Sequence, residues 1–252
     1  MLSHNQSKLL NALSIKKYRL QHGKFVVEGE KMVAELLSQT HIGVSFVFGL
    51  DSWAEKNAGL IQSAKAPFQG ITETELGKVS NLSTPNSVLA VAEIPDSPCD
   101  IQLPGRSLCF YLDGIQDPGN LGSILRIADW FGFAAVYCSP DCVDVFNPKV
   151  VQASMGAILR VPVWEVTISD LCEQPSTFPV LGAMLDAENV MSAQLPNHGL
   201  LVIGNEGKGI STEVMAFLTQ RISIPKHPKG GAESLNAAVA AGILAALFPI
   251  NP

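Results

Sequence analysis

No Cys-x-x-Cys pair occurs in this chain. Its five cysteines, at 99, 109, 138, 142 and 172, are irregularly spaced and odd in number, which argues against both a disulfide framework and a zinc site and points to reduced thiols in a cytosolic protein. No metal ligand is therefore assigned. No secretory leader is expected, since Met1 to Leu13 is polar with scattered leucines. The most apolar run, Ala237 to Phe248, is too short to span a bilayer and rich in alanine, so it reads as a core helix. No membrane partner is expected, and the expected location is the cytoplasm. Internal repeats and low-complexity tracts are absent. So is an excess of positive charge: 17 Lys and Arg against 23 Asp and Glu give a net charge of −6. A chain that met a phosphate backbone with its whole surface would show the opposite sign.

What charge there is has been distributed unevenly. Residues 1 to 24 carry Lys8, Lys16, Lys17, Arg19 and Lys24 with no acidic residue, so every acidic group lies beyond them. Such asymmetry suits one face that meets a polyanion on an otherwise soluble body. With 252 residues the chain can bury one large core or two smaller ones. The stretch from Ile94-Pro95-Asp96-Ser97-Pro98 to Leu103-Pro104-Gly105-Arg106 has no period and is rich in proline. It is read as a linker at about 95 to 106, between a domain at 1–95 and a domain at 106–252.

In the first domain Ser7 to Leu20 reads as one imperfect amphipathic helix, Phe25-Val26-Val27 as a strand, Glu30 to Leu37 as a helix and Val44 to Phe48 as a strand. Thr72-Glu73-Thr74-Glu75 looks like a capping box that opens another helix, and Val88 to Ile94 reads as the last strand. The alternation implies a small α/β/α module.

The second domain places chemistry where strands become helices. Leu108 to Leu112 reads as a buried strand, Asp117-Pro118-Gly119 as a turn, and Leu121, Ile124, Leu125 and Ala128 recur at helical spacing, so Asn120 lies at the start of a helix and Arg126 near its first turn and a half. Gly204-Asn205-Glu206-Gly207-Lys208-Gly209 follows the strand Leu200 to Ile203, and Ile224-Pro225 precedes Ser234-Leu235-Asn236 at the head of the alanine-rich helix. Open α/β sheets bind ligands at such strand ends. Other nucleotide folds fail on spacing: Gly119-Asn120-Leu121-Gly122 is not Gly-x-Gly-x-x-Gly, and Gly207-Lys208-Gly209 lacks the Lys-Ser/Thr step of a phosphate-binding loop.

These three segments, with Asn147 to Ala157 and Arg160-Val161-Pro162-Val163 between them, resemble the motifs of the SpoU-type (TrmH-like) RNA 2′-O-ribose methyltransferases. The resemblance covers Leu108 to about Phe248. Tyr18-Arg19, Phe25 to Gly29 and Ser83-Thr84-Pro85-Asn86-Ser87-Val88-Leu89-Ala90 resemble the smaller L30e-like substrate-binding domain that many such enzymes carry, although the family more often has Pro-Gln-Gly where this chain has Pro85-Asn86-Ser87. The resemblance implies a largely parallel α/β sheet flanked by helices with a C-terminal trefoil knot, bound S-adenosylmethionine as cofactor, and a homodimer. It implies transfer of a methyl group to a ribose of structured RNA, with ribosomal RNA favoured. Transfer RNA, and a non-catalytic RNA-binding member of the fold, are the alternatives. Loss of Asn120, Arg126, Ser234 or Asn236 would mark the non-catalytic case, and all four are present.

By the same resemblance Asn120, Arg126, Glu206, Ser234 and Asn236 are the catalytic set. Gly182, Ala183, Met184, Gly204, Asn205, Gly207, Ile224, Pro225 and Leu235 would hold the cofactor, with Gly204 allowing close approach of a flat ring. The family's Arg has been proposed as a proton acceptor. A guanidinium is not deprotonated in proteins, and its fork suits a phosphate oxygen beside the attacked ribose, so Arg126 is assigned that contact. Glu206 is read as an anchor between loops rather than a base. Ser234 is expected to cap the last helix, with Asn236 inside it. Lys226 to Glu233 is longer and more basic than the family's loop, so Lys226 and Lys229 join Lys16, Lys17 and Arg19 as expected RNA contacts.

Overall fold

The computed structural model describes residues 1–82, 84–172 and 176–249; Ser83, in the segment expected to resemble the substrate-binding domain, lies outside them. Two compact units emerge: Met1–Ser97 together with Phe146–Leu159, and Pro98–Val145 together with Arg160–Pro252. The strands are β1 (Lys24–Glu28), β2 (Val44–Gly49), β3 (Phe68–Gly70), β4 (Val88–Glu93), β5 (Leu108–Asp113), β6 (Val136–Cys138), β7 (Val163–Glu165), β8 (Val180–Asn189), β9 (Gly199–Gly204) and β10 (Gln220–Ser223). The helices are α1 (His4–Ala12), α2 (Lys16–His22), α3 (Glu30–Ser38), α4 (Asp51–Lys56), α5 (Ala58–Ala64), α6 (Glu73–Val79), α7 (Pro118–Phe131), α8 (Pro148–Ser154), α9 (Ile168–Leu171), α10 (Thr212–Met215) and α11 (Ala237–Ala245).

In the first unit the sheet order is β1-β4-β2-β3, with β4 antiparallel to both neighbours and β3 parallel to β2. Leu89 and Val91, two residues apart on β4, share one core with Val26, Phe48, Leu10, Leu13, Leu76 and Val79. The Phe25 ring meets Phe146 at 4.7 Å, and α8 packs on β1, so β1 is buried from Phe25 to Glu28, beside β4, which is buried from Val88 to Ala92. The expected capping box is present: the Thr72 hydroxyl accepts from the Glu75 N–H, and the Glu75 carboxylate accepts from the Thr72 N–H at 3.0 Å. A second one opens α1 with Ser3 and Gln6.

The single helix expected over Ser7 to Leu20 is two. α1 stops at Ala12 and α2 starts at Lys16, because Leu10 and Leu13 turn into the core and Arg19 follows them. Arg19 is 2% exposed, and its guanidinium donates to the Leu13 carbonyl at 2.8 Å, which satisfies an acceptor that the helix end leaves free. It therefore offers no charge to a polyanion, contrary to its expected role as an RNA contact.

The second unit is mixed α/β, with a six-stranded, wholly parallel sheet in the order β10-β8-β9-β5-β6-β7. Its core includes Cys109, Tyr111, Tyr137, Val180, Leu200 and Val202. Parallel strands buried on both faces read as continuous apolar runs, as β5 and β9 do. Asp113 pairs with Gly204, so the central strands β5 and β9 end side by side and release their loops at one place. Along β8 the register jumps: consecutive residues Arg221 and Ile222 of β10 pair with Gly182 and Glu188, so residues 183–187 bulge out of the ladder. On one flank α7 packs against α11, with Gly242 facing Ile127.

Candidate active site

The loop after β5 is fastened from below. Gly114, at φ +66°, donates its N–H to the Ser139 hydroxyl at 2.9 Å, and the Cys142 thiol donates to the Leu112 carbonyl at 3.2 Å. The Cys138 and Ser139 side chains hydrogen-bond to Cys142 and hold its thiol below the usual thiol range. Asp117 caps α7 by accepting from the Asn120 N–H at 2.8 Å. The cap of α7 is therefore Asp117, and the Asn120 side chain is left for other work.

That work joins three loops. The Asn236 carboxamide donates to Asn120 Oδ1 at 2.8 Å, and Asn120 Nδ2 donates to Glu206 Oε1 at 2.5 Å. A carboxylate accepts, so Asn120 turns its NH₂ to Glu206 and its oxygen to Asn236. Asn236 then keeps its own oxygen for the N–H groups of Ala238 and Val239, as the N-cap of α11. The expectation of Ser234 as cap and Asn236 inside the helix is corrected here: the helix starts at Ala237, and Ser234 is exposed on the loop before it.

The loop after β9 folds back on its own strand. Asn205 and Gly209 exchange backbone hydrogen bonds at 3.0 and 2.8 Å, while the Asn205 side chain donates to the Gly114 carbonyl and accepts from the N–H groups of Gly207 and Lys208. Gly204 is needed for this reversal: a Cβ there would lie 2.4 Å from the Gly209 carbonyl carbon. Its bareness therefore serves the chain's own turn. Ser211 donates its N–H to the buried Asp113 carboxylate at 2.6 Å, which closes the far side of the loop.

Between these loops lies a cavity of about 680 Å³. Of the residues expected to hold a cofactor, Ala183, Met184, Gly204, Asn205, Gly207, Ile224, Pro225 and Leu235 line it, together with Glu206, Ser234 and Lys226. Gly182 does not. It lies beneath, where a Cβ would strike Leu218 at 2.5 Å. Ile203, Ile222, Ala237 and Ala240 also line the cavity and were not singled out. They belong to strand ends and the first turns of α11, whose apolar pattern looks like any core segment. Arg126, Asn120 and Asn236 are outside the wall. Arg126 sits about two turns into α7, exposed, with no hydrogen-bond or ion-pair partner among the described residues. Lys16, Lys17, Lys226 and Lys229 are exposed as expected, and the Lys17 ammonium lies over the Tyr18 ring.

The cavity falls in the usual range for cofactor and small-molecule sites, about 300–1,000 Å³. Its apolar floor suits a flat ring. Glu206, Lys208, Lys226 and Glu233 supply both signs of charge at its edge, as a zwitterionic amino-acid moiety requires.

Residues 107–246 match the model of the SpoU rRNA Methylase family, and residues 5–90 that of the MRM3-like substrate binding domain. The 23S rRNA (guanosine(2553)-2′-O)-methyltransferase RlmP of Bacillus subtilis is 29% identical over 240 residues, covering 92% of this chain and 91% of its own. A solved structure from Porphyromonas gingivalis, assigned to the TrmH family of RNA methyltransferases, superposes with a TM-score of 0.86 at 38% identity over 98% of both chains. The SpoU methyltransferase AviRb of Streptomyces viridochromogenes, solved with the cofactor AdoMet, superposes with a TM-score of 0.84 at 25% identity over 97% of both.

Proposed function

Because the chain belongs to the SpoU rRNA methylase family, we propose that it transfers a methyl group from S-adenosylmethionine to the 2′-hydroxyl of a ribose in structured ribosomal RNA. The observation that carries the proposal is the Asn236–Asn120–Glu206 chain, which ties the loops after β5, β9 and β10 together at the edge of one cavity. The residues that would hold the cofactor are Ala183, Met184, Gly204, Gly207, Ile224, Pro225 and Leu235. When bound, the cofactor supplies an electrophilic methyl on a sulfonium.

The protein's own part is positioning, which provides much of the rate in a two-reactant transfer. Glu206 holds Asn120, and Asn120 holds Asn236, so the loops keep one arrangement without a moving part. Asn205 acts on its own loop rather than on a ligand, since its side chain is consumed by Gly114, Gly207 and Lys208. Arg126 stays charged and free, and its fork takes a phosphate oxygen beside the target ribose.

The same reading includes the trefoil knot, a cytoplasmic location and a homodimer. The match of residues 5–90 to a substrate-binding domain supports RNA selection by the first unit. Five free thiols support a reducing compartment. For the dimer the support is an apolar face: Val239 and Ile243, one turn apart on α11, are 50% and 39% exposed, with Leu247 just beyond, and Trp130 on the neighbouring α7 is 82% exposed. Contiguous exposed apolar surface of this kind marks an interface.

The test is transfer of labelled methyl groups from S-adenosylmethionine to total RNA of a strain lacking the gene, followed by mapping of the label. Label at one ribose of ribosomal RNA is expected. Label confined to transfer RNA would overturn the substrate, and no transfer with cofactor bound would overturn the activity.

A further inference from the structure

The first unit carries a second cavity that methyl transfer leaves unused. It measures about 250 Å³ and lies between the end of β1, the loop after α6 and one side of α8. Val26 and Val151 give it apolar walls, and Glu28, Asn81, Gln152 and Lys149 its polar groups.

Glu28 is the unusual member, a carboxylate only 6% exposed. It is not idle. Oε1 accepts from the Asn81 N–H at 2.8 Å and the Asn81 amide at 3.0 Å, and Oε2 accepts from the Ser80 hydroxyl at 2.5 Å. Two donors fill Oε1, but Oε2 keeps one acceptor position. Asn81 Oδ1, the Gln152 carboxamide and the Lys149 ammonium have no hydrogen-bond partner among the described residues. A small, mostly apolar hole with one buried anionic acceptor and one unpartnered carboxamide is therefore complementary to a planar ring with an N–H donor at its edge. The size agrees, being below the range of about 300–1,000 Å³ for drug-sized ligands, so one ring system enters and a whole nucleotide does not. A metal cation is disfavoured, because three donors already point at Glu28 and Lys149 stands at the rim.

Resting on the RNA substrate proposed above, we propose that this cavity receives one unstacked nucleobase bearing an exocyclic amino group, donating to Glu28 and met by Gln152, with Lys149 on an adjacent phosphate. Sequence-selective RNA recognition works in this way, on splayed-out bases read along their edges. Uracil is excluded by the same chemistry. Its one ring N–H is flanked by carbonyls, which would face the anionic oxygen of Glu28.

The test reads binding alone. Fluorescence polarisation of the full chain with labelled oligocytidylate and oligouridylate, equal in length and differing only in that uracil carries a carbonyl and a ring N–H where cytosine carries the amino group and a bare ring nitrogen, is expected to favour cytidylate by about ten-fold, one good edge contact. Ala153→Phe, which fills the cavity from α8, is expected to abolish the preference, and Gln152→Ala to reduce it, both with unchanged S-adenosylmethionine binding. Equal affinities in the wild type, or a preference that survives in Ala153→Phe, overturns the proposal. Should Ala153→Phe fail to fold, an undiminished preference in Gln152→Ala overturns it instead. Cytidine monophosphate that binds as tightly as the oligomer would make this a free-nucleotide site and overturn the assignment to RNA. Failed methylation of ribosomal RNA would remove the activity proposed above while leaving the base preference readable, so the two results are separable.

Discussion

Asn236 donates to Asn120 across 116 residues of sequence, at 2.8 Å, and the two carboxamides share one fixed orientation because Glu206 can only accept. Asn120→Asp replaces the donated N–H with a second carboxylate facing Glu206. It is expected to weaken cofactor binding and to lower methyl transfer by about a hundred-fold, roughly the effect of misplacing a positioning group. Glu206→Gln should keep most of the activity and an unchanged pH profile, because its amide oxygen still accepts from Asn120. A large rate loss in Glu206→Gln, with the cofactor still bound, would instead make Glu206 a proton acceptor.

Arg126→Ala is expected to lower single-turnover methylation by about two orders of magnitude, the effect of one oriented charge at a reacting centre, while calorimetry finds cofactor affinity little changed. Arg126→Lys should fail similarly, since a point charge does not replace a bidentate fork. Near-normal rates for either variant would remove Arg126 from the mechanism.

Reversing Lys16 and Lys17 to Glu is expected to weaken RNA binding and make its salt dependence shallower by about two counterions. Arg19 belongs to a different experiment. Arg19→Ala leaves the Leu13 carbonyl unpaired in the core and should cost stability, about 1–3 kcal/mol in a urea titration, with little change in RNA affinity of the protein that remains folded.

The sequence revealed the chemistry better than the geometry. Glu30 to Leu37, Thr72 to Glu75 and the strands ending at Asp113 and Gly204 were legible, because caps and apolar runs are local signals. Arg19 misled because a buried guanidinium and a solvated one look alike in sequence; only the carbonyl of Leu13, turned inward by the break between α1 and α2, decides. Asn236 misled because Ser234 and Asn236 are both good caps two residues apart, and the bond to Asn120 on α7 that goes with Asn236 joins distant parts of the chain. The bulge in β8 and the cavity wall at Ile222 and Ala240 arise from pairing between distant strands and were equally out of reach.

A homodimer is expected from sedimentation, at twice the chain mass of 26.9 kDa. Ile243→Glu, which puts a charge in the middle of the exposed α11 face, should shift it to monomer without unfolding it. A wild-type chain that is monomeric at micromolar concentration would refute the dimer.

Alkaline pH should destabilise the fold. Burial raises the Cys109 thiol from its ordinary 9.0 to about 12. The unfolded chain therefore ionises first, so the stability from this group is intact below pH 9 and is lost as pH climbs toward the folded value. The slope is about 1.4 kcal/mol per pH unit for one such group. Urea midpoints measured at rising pH should fall in this window, and Cys109→Ala should flatten the fall; parallel curves for variant and wild type would deny Cys109 the part.

The excursion of Phe146–Leu159 into the first unit bears on how such proteins can be recombined. The polypeptide passes from one unit to the other three times, at 97/98, 145/146 and 159/160, so no single cut yields two complete pieces. A chimaera that exchanges only the first 97 residues with a relative would join a foreign sheet to a resident α8 and mismatch the partner of Phe25. To transplant RNA selectivity, the short inner segment has to travel with the amino-terminal one, as two inserts exchanged together.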